Sequence, residues 1–180
     1  MFRAIEEVDI NWLQQNHQML HYFGLGFIQL KINDQYRMHF YTKELPPIVS
    51  DEDIHNHRYD FTSRILKGEF SQELYKIVPG NDYLKEEESC QEGIKSESKS
   101  EECNIELISR ETYTAGSEYF ISHKTFHRVK ATNCITLLSR SDYKKELAEV
   151  VRRKDSPLIC PFSQKLSDSK IWDIISSLLN

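Results

Sequence analysis

Hydrophobic positions change their period several times along this chain, and the changes mark out its elements. Ile10, Leu13 and Leu20 share one face at helical spacing, with Trp12 and Met19 on its flank, so a helix is expected over 9–23. Asp9 is placed to cap it, and Gly24 and Gly26 to end it. His17 lies on the same face and reads as a core or surface residue. From Phe27 the repeat shortens to two. Phe27, Gln29 and Lys31 alternate with Ile28, Leu30 and Ile32. Asn33-Asp34 makes a turn, and Tyr36, Met38 and Phe40 then share a face of the next strand. Pro46-Pro47 interrupts the sheet.

A further strand is expected over 61–66, with a hairpin turn at Lys67-Gly68 and a return over 70–78. Pro79-Gly80-Asn81-Asp82 is another turn signal. Residues 85–102 are almost all Glu, Lys and Ser, with too little apolar area to offset their ordering entropy. They are expected to form a mobile excursion between two strands. Short extended runs resume at 105–114, 119–122, 126–131 and 134–139, parted by Ala115-Gly116-Ser117 and Thr132-Asn133. Residues 143–153 suit either a helix or an extended return, and Pro157 and Pro161 break the chain. Ser167 or Asp168 caps a last helix, whose stripe of Ile171, Ile174, Ile175, Leu178 and Leu179 belongs to the core. Many short strands at close spacing predict a mainly β fold, either barrel or sandwich.

Composition narrows the function classes. The 180 residues suit one domain over 1–180. A net charge of −5 gives no basic field for nucleic acid. No apolar run approaches a membrane span, and the N-terminus lacks the apolar stretch of a signal peptide. Cys90, Cys103, Cys134 and Cys160 form no Cys-x-x-Cys pair, so reduced thiols and the cytoplasm are expected.

The chemistry gathers around Ile54-His55-Asn56-His57-Arg58-Tyr59-Asp60-Phe61. On a strand His55 and His57 project to one side, where two imidazoles can grip one ion. A third ligand must come from elsewhere, and His127, at a strand start, is the candidate. Asp60 is the candidate carboxylate, its alternative role being to cap a turn or pair with Arg58 or Arg64. Asp51-Glu52-Asp53 reads as a solvated loop, or else as a rim that attracts a cation. Glu69 and Glu73 read as exposed strand residues, with metal ligation as the alternative, His123 as an outer neighbour, and His39 either as facing the interior as a further ligand or as packing beside Met38 and Phe40. Arg64, Arg128 and Arg140 are candidates to clamp an anionic substrate through a planar fork, against surface solvation as the alternative. Tyr36, Tyr59, Tyr75 and Tyr119 are candidates to line a pocket or to fill a core. No Gly-x-Ser-x-Gly elbow or glycine-rich phosphate loop is present, and Cys134 reads as a buried strand residue.

These stretches resemble the two metal-binding motifs of the cupin superfamily. His55-Asn56-His57 fits the paired histidines and Gly68 the closing glycine of the first. Gly116 and His127 fit the second at the matching distance. Val49 stands where the first motif begins with glycine, and Phe61 or Thr62 occupies its glutamate slot. Ser122, Lys124 and Ala131 replace the proline, glycine and asparagine of the second. The local wording is also similar to a group of cupin-like proteins of unassigned activity. The resemblance implies a cupin-like double-stranded β-helix barrel, its core at about 27–140, with flanking N- and C-terminal helices. It implies one divalent transition metal, Fe(II) foremost, with Zn, Ni or Mn as alternatives. The expected activity is that of a mononuclear iron-type dioxygenase acting on a small anionic molecule. The rival expectation is a non-catalytic barrel that binds a small ligand or a partner. A homodimer through sheet edges is the expected assembly, with no nucleic-acid or membrane partner.

Overall fold

The computed structural model describes residues 9–45, 54–87, 90–91, 94–95, 99–156 and 165–180. Pro46-Pro47, Val49, the acidic run 51–53, Pro157, Cys160 and Pro161 lie outside the described residues, as does the side chain of Cys90. The elements in order are α1 (Ile10–Asn16), β1 (Met19–Phe23), β2 (Phe27–Lys31), β3 (Tyr36–Tyr41), β4 (Ile54–His55), β5 (Phe61–Glu87), β6 (Cys90–Gln91), β7 (Ile94–Lys95), β8 (Ser100–Thr114), β9 (Glu118–Ile121), β10 (Phe126–Arg140), β11 (Glu149–Arg153) and α2 (Asp168–Leu179).

All the strand pairs are antiparallel, and β5 joins most of them. Its first half, residues 61–75, pairs with β10. Strand β10 also pairs with β4 through His127 and His55, and β4 pairs with β11. Strand β11 returns to the far half of β5 at residues 83–87. The circuit β5–β10–β4–β11–β5 is therefore closed, which is how a small barrel removes exposed edges. The β1–β2–β3 meander extends the sheet from β10, while β8 and β9 pair along β5.

Several elements differ from the sequence expectation. Helix α1 stops at Asn16, and the last part of the expected helix is strand β1. Residues 19–23 find backbone partners in β2, and Phe23 stacks on Phe27 with ring centroids 4.8 Å apart. Such tertiary pairing overrides a weak helical preference. Lys67-Gly68 makes no hairpin turn. Strand β5 runs straight through it for 27 residues, also absorbing the expected turn at Pro79-Gly80-Asn81-Asp82 as a register shift between Val78 and Tyr83. Gly68, at φ +82°, instead faces a bulge in β10 centred on Asn133 at φ 50°. The flanks of 85–102 are strand as well, because their charges pair: Lys85 with Glu101 at 2.7 Å, and Arg152 with Glu86 at 2.8 Å. Residues 149–153 take the extended alternative. Helix α2 starts from its Ser167 cap and buries Ile171, Ile174, Ile175 and Leu178.

Alternation on β3 divides two layers. Met38 and Phe40 join Ile28, Leu30 and the α2 stripe in one core. Arg37, His39 and Tyr41 take the opposite face, where His39 and Tyr41 both pack on Phe27. A second, aromatic-rich core contains Tyr41, Tyr59, Phe61, Phe70 and Tyr119. No helix among the described residues is long and apolar enough to cross a membrane.

Candidate metal centre

Two stretches converge where β4 meets β10. His55 ends β4, His57 follows it, and His127 starts β10 directly opposite His55. One potential ligand atom from each lies within 4.8 Å of the others. The ring centroids are 4.8 Å apart for His55 and His57, 4.9 Å for His55 and His127, and 5.0 Å for His57 and His127. His57 Nε2 and His127 Nε2 share a hydrogen bond of 2.8 Å. His127 is buried, while His55 and His57 are half-buried.

Burial keeps His57 and His127 neutral. Burial lowers the pKa of His57 well below its ordinary value, and neighbouring His55, His127, His39 and Arg37 push it further. Burial, then His55, does the same to His127. Burial also takes His39 down to about 3, aided by Arg37 and His55, and its Nε2 meets Gln29 Nε2 at 3.0 Å. Neutral imidazole is the form that binds a metal, so His57 and His127 need lose no net charge-bearing proton at neutral pH.

The site accommodates the ion that the motif resemblance implies. An ion about 2.1 Å from each imidazole nitrogen holds those nitrogens about 3–4 Å apart, a small adjustment of the present spacing. His127 Nδ1 is buried and has no partner among the described residues, so the ring's one hydrogen bond runs through Nε2, the atom that faces the other histidines. The donor set is three nitrogens without a carboxylate, a composition suited to iron, zinc, copper or nickel.

Alternation explains which other candidates join the trio. Residues 55, 57, 59 and 61 face one way. The Tyr59 ring lies 5.7 Å from His57, and Phe61 meets His57 edge-on at 4.8 Å and His127 at 6.1 Å. Phe61 thus presents an apolar wall where the motif would place glutamate. Asp60, out of phase by one residue, does not join the histidines. Its Oδ1 accepts from the His123 backbone N–H and lies 2.7 Å from His123 Nδ1. Those hydrogen bonds, backbone first, hold its pKa below the ordinary carboxylate value. Asp60 is thus committed to His123, a partner outside the turn it was expected to cap.

Arg128 and Tyr75 lie on the opposite face of their strands from His127. Both bond Glu73, Arg128 Nε at 2.8 Å and Tyr75 Oη at 2.7 Å. Arg110 bonds the other oxygen of Glu73 at 2.8 Å. Glu73 is 1% exposed, so its expected solvent position is corrected: it is a buried carboxylate held by flanking cations. Arg64 is exposed on β5. The structure therefore supplies neither Arg64 nor Arg128 as a free guanidinium beside the histidines.

Sequence reasoning missed two neighbours. Asn56 is 2% exposed and bonds β11: Nδ2 donates to Glu149 Oε2 at 2.6 Å, and Oδ1 accepts from Lys145 Nζ at 2.6 Å and from the Glu149 N–H at 2.8 Å. Arg37 donates from Nη1 to Tyr59 Oη at 2.9 Å. Its parity with His39 on β3 was the available signal.

No protein-family model matches this chain, and no curated protein matches it. Among solved structures, a hydroquinone 1,2-dioxygenase in complex with Cd2+ and 4-hydroxybenzonitrile is similar over 82% of each chain, at 10% identity and a TM-score of 0.36. A likeness this loose carries no weight for function.

Proposed function

We propose that this chain is a cupin-type mononuclear metal enzyme in which His55, His57 and His127 hold one divalent transition ion. Fe(II) is the first choice and a small anionic molecule the substrate, oxidised by dioxygen. The observation that supports this is the convergence of three imidazoles from two separated stretches, with ligand atoms within 4.8 Å of one another. When bound, such an ion supplies Lewis acidity and open positions for substrate and dioxygen. The chain does the rest. Asn56 orients the histidine pair through β11, and Phe61 excludes water from one side of the trio. Tyr59 places a phenol one ring away from His57, and burial holds it in its neutral, proton-donating form.

Metal analysis tests the reading. The purified protein, reconstituted with Fe(II) without oxygen, should hold one ion per chain, and His57→Ala and His127→Ala should each lose it while keeping their circular dichroism. A folded protein that takes up no iron, zinc, nickel or manganese would overturn it. Diversion of Asp60 to His123 and the apolar Phe61 favour a second reading, a non-catalytic barrel that binds a small ligand. Oxygen uptake across a panel of small organic acids separates the two, since the barrel reading expects none.

A further inference from the structure

We infer that Arg37, Arg140 and Tyr59 form a carboxylate-binding subsite beside the three histidines. This deepens the proposed function and rests on it for one point only, that the bound acid is the substrate.

The geometry starts at Tyr59. Its ring is 7% exposed and lies 5.7 Å from the ring of His57. The Arg37 guanidinium is 5.2 Å from the Tyr59 ring centre and Arg140 is 5.3 Å from it. Arg140 also lies 4.4 Å from the Tyr143 ring, which Arg58 covers at 4.3 Å. Three guanidiniums thus share two phenol rings next to the histidines.

None of the three forms an ion pair with a carboxylate among the described residues. Other arginines of the fold do pair with buried carboxylates, exposed Arg110 and half-buried Arg128 with Glu73, and buried Arg152 with Glu86. Asp34 feels the charge of Arg140 and Arg37, yet its carboxylate bonds Lys31 at 2.6 Å. Arg37 Nε and Arg140 Nε are both buried without a hydrogen-bond partner. Their other groups are only partly used: Arg37 Nη1 bonds Tyr59 Oη, and Arg140 Nη1 bonds the Ser141 carbonyl at 3.0 Å. Two buried cationic donors left open in one cluster call for an acceptor, and the acceptor that also balances their charge is an anion. A planar carboxylate matches the fork of a guanidinium. Tyr59 Oη accepts from Arg37, so its own proton is free to complete the contact. With one aromatic ring between subsite and histidines, the ligand is a small acid whose reacting atoms lie a few bonds from its carboxylate.

The test uses the full-length protein, titrated with acetate and benzoate, with inorganic phosphate as a tetrahedral comparison, and followed by calorimetry and by the arginine Nε–H signals of 15N-labelled protein. Saturable carboxylate binding is expected, with shifts of the Arg37 and Arg140 Nε–H signals. Arg37→Gln and Arg140→Gln should each weaken it at least tenfold, and Arg64→Gln, on the exposed face of β5, should leave it unchanged. The wild-type signals decide the matter if a variant fails to fold. Absence of saturable binding, or an equal loss in Arg64→Gln, would overturn the subsite. Phosphate binding tighter than either carboxylate would overturn the carboxylate assignment. Repeating the titration in metal-free His127→Ala separates this proposal from the last: benzoate binding that persists there upholds the subsite even if the wild type proves to hold no metal.

Discussion

Asn56 sits between two candidate ligands and faces away from both, onto β11. Its three side-chain bonds join Glu149 and Lys145. Asn56→Ala should cost about 2–3 kcal/mol in urea unfolding, the scale of a buried network with charged partners. It should also weaken metal binding roughly tenfold to a hundredfold in a chelator competition, since a ligand loses its anchor. Glu73 makes a second prediction at this scale. Burial alone would raise its pKa, but hydrogen bonds from Tyr75, Arg128 and Arg110 outweigh it and bring it from 4.5 to about 2. A carboxylate depressed on folding stabilises the protein fully above pH 4.5, and that stabilisation fades as the pH falls toward 2. The difference is worth roughly 3 kcal/mol at about 1.4 kcal/mol per unit. Unfolding followed between pH 6 and pH 2 should show it, and Glu73→Gln should flatten that slope. The paired histidines were legible because two-residue alternation is local. That same alternation places Asp60 on the other face, and the structure accordingly gives it to His123. The burial of Glu73 was not legible, because its cations come from β8 and β10.

Strand β5 is the element least like its sequence. Gly68 reads as a turn, yet it lies within 27 unbroken strand residues. A Cβ at Gly68 would stand 2.3 Å from the Asn133 carbonyl oxygen, and the residue already requires φ +82°. Gly68→Ala therefore combines strain with a clash against backbone and should cost more than about 1 kcal/mol. Chemical denaturation of the variant checks this, and Gly116→Ala provides a comparison, since its φ is +88° but its Cβ meets nothing within 4 Å. The larger loss belongs to Gly68. A glycine with positive φ serves a hairpin or a bulge equally well, and only the partner strand decides between them. Helix α2 behaves oppositely. Its stripe repeats over enough turns to identify itself, and Ile174→Ala should cost about 2–5 kcal/mol as a fully buried truncation.

Closure of the barrel ties the two halves of β5 together through β10, β4 and β11. The last link contains a buried ion pair, with Glu86 6% and Arg152 7% exposed. Arg152 donates to both carboxylate oxygens, at 2.8 and 3.0 Å. Arg152→Met alone should destabilise the fold by about 3–5 kcal/mol, because it removes the two-bond cationic partner of a buried carboxylate. Adding Glu86→Leu should recover most of that loss, and a double-mutant cycle measured by denaturant unfolding gives the coupling.

The sequence by itself determined the mainly β class, the terminal α2 helix with its apolar stripe, and the His55–His57 pair, all carried by short-range periodicity. Its place at a strand start, with the resemblance to the second cupin motif from Gly116, singled out His127. Tertiary structure alone decided that β1 is a strand, that β5 runs through two glycine signals, that Asp60 turns to His123, and that Arg37 rather than Arg64 or Arg128 stands with Tyr59 by the histidines. Each of these depends on which strand lies beside which. Strand pairing is a long-range choice in hydrogen bonds and buried charge, and no local window of residues contains it.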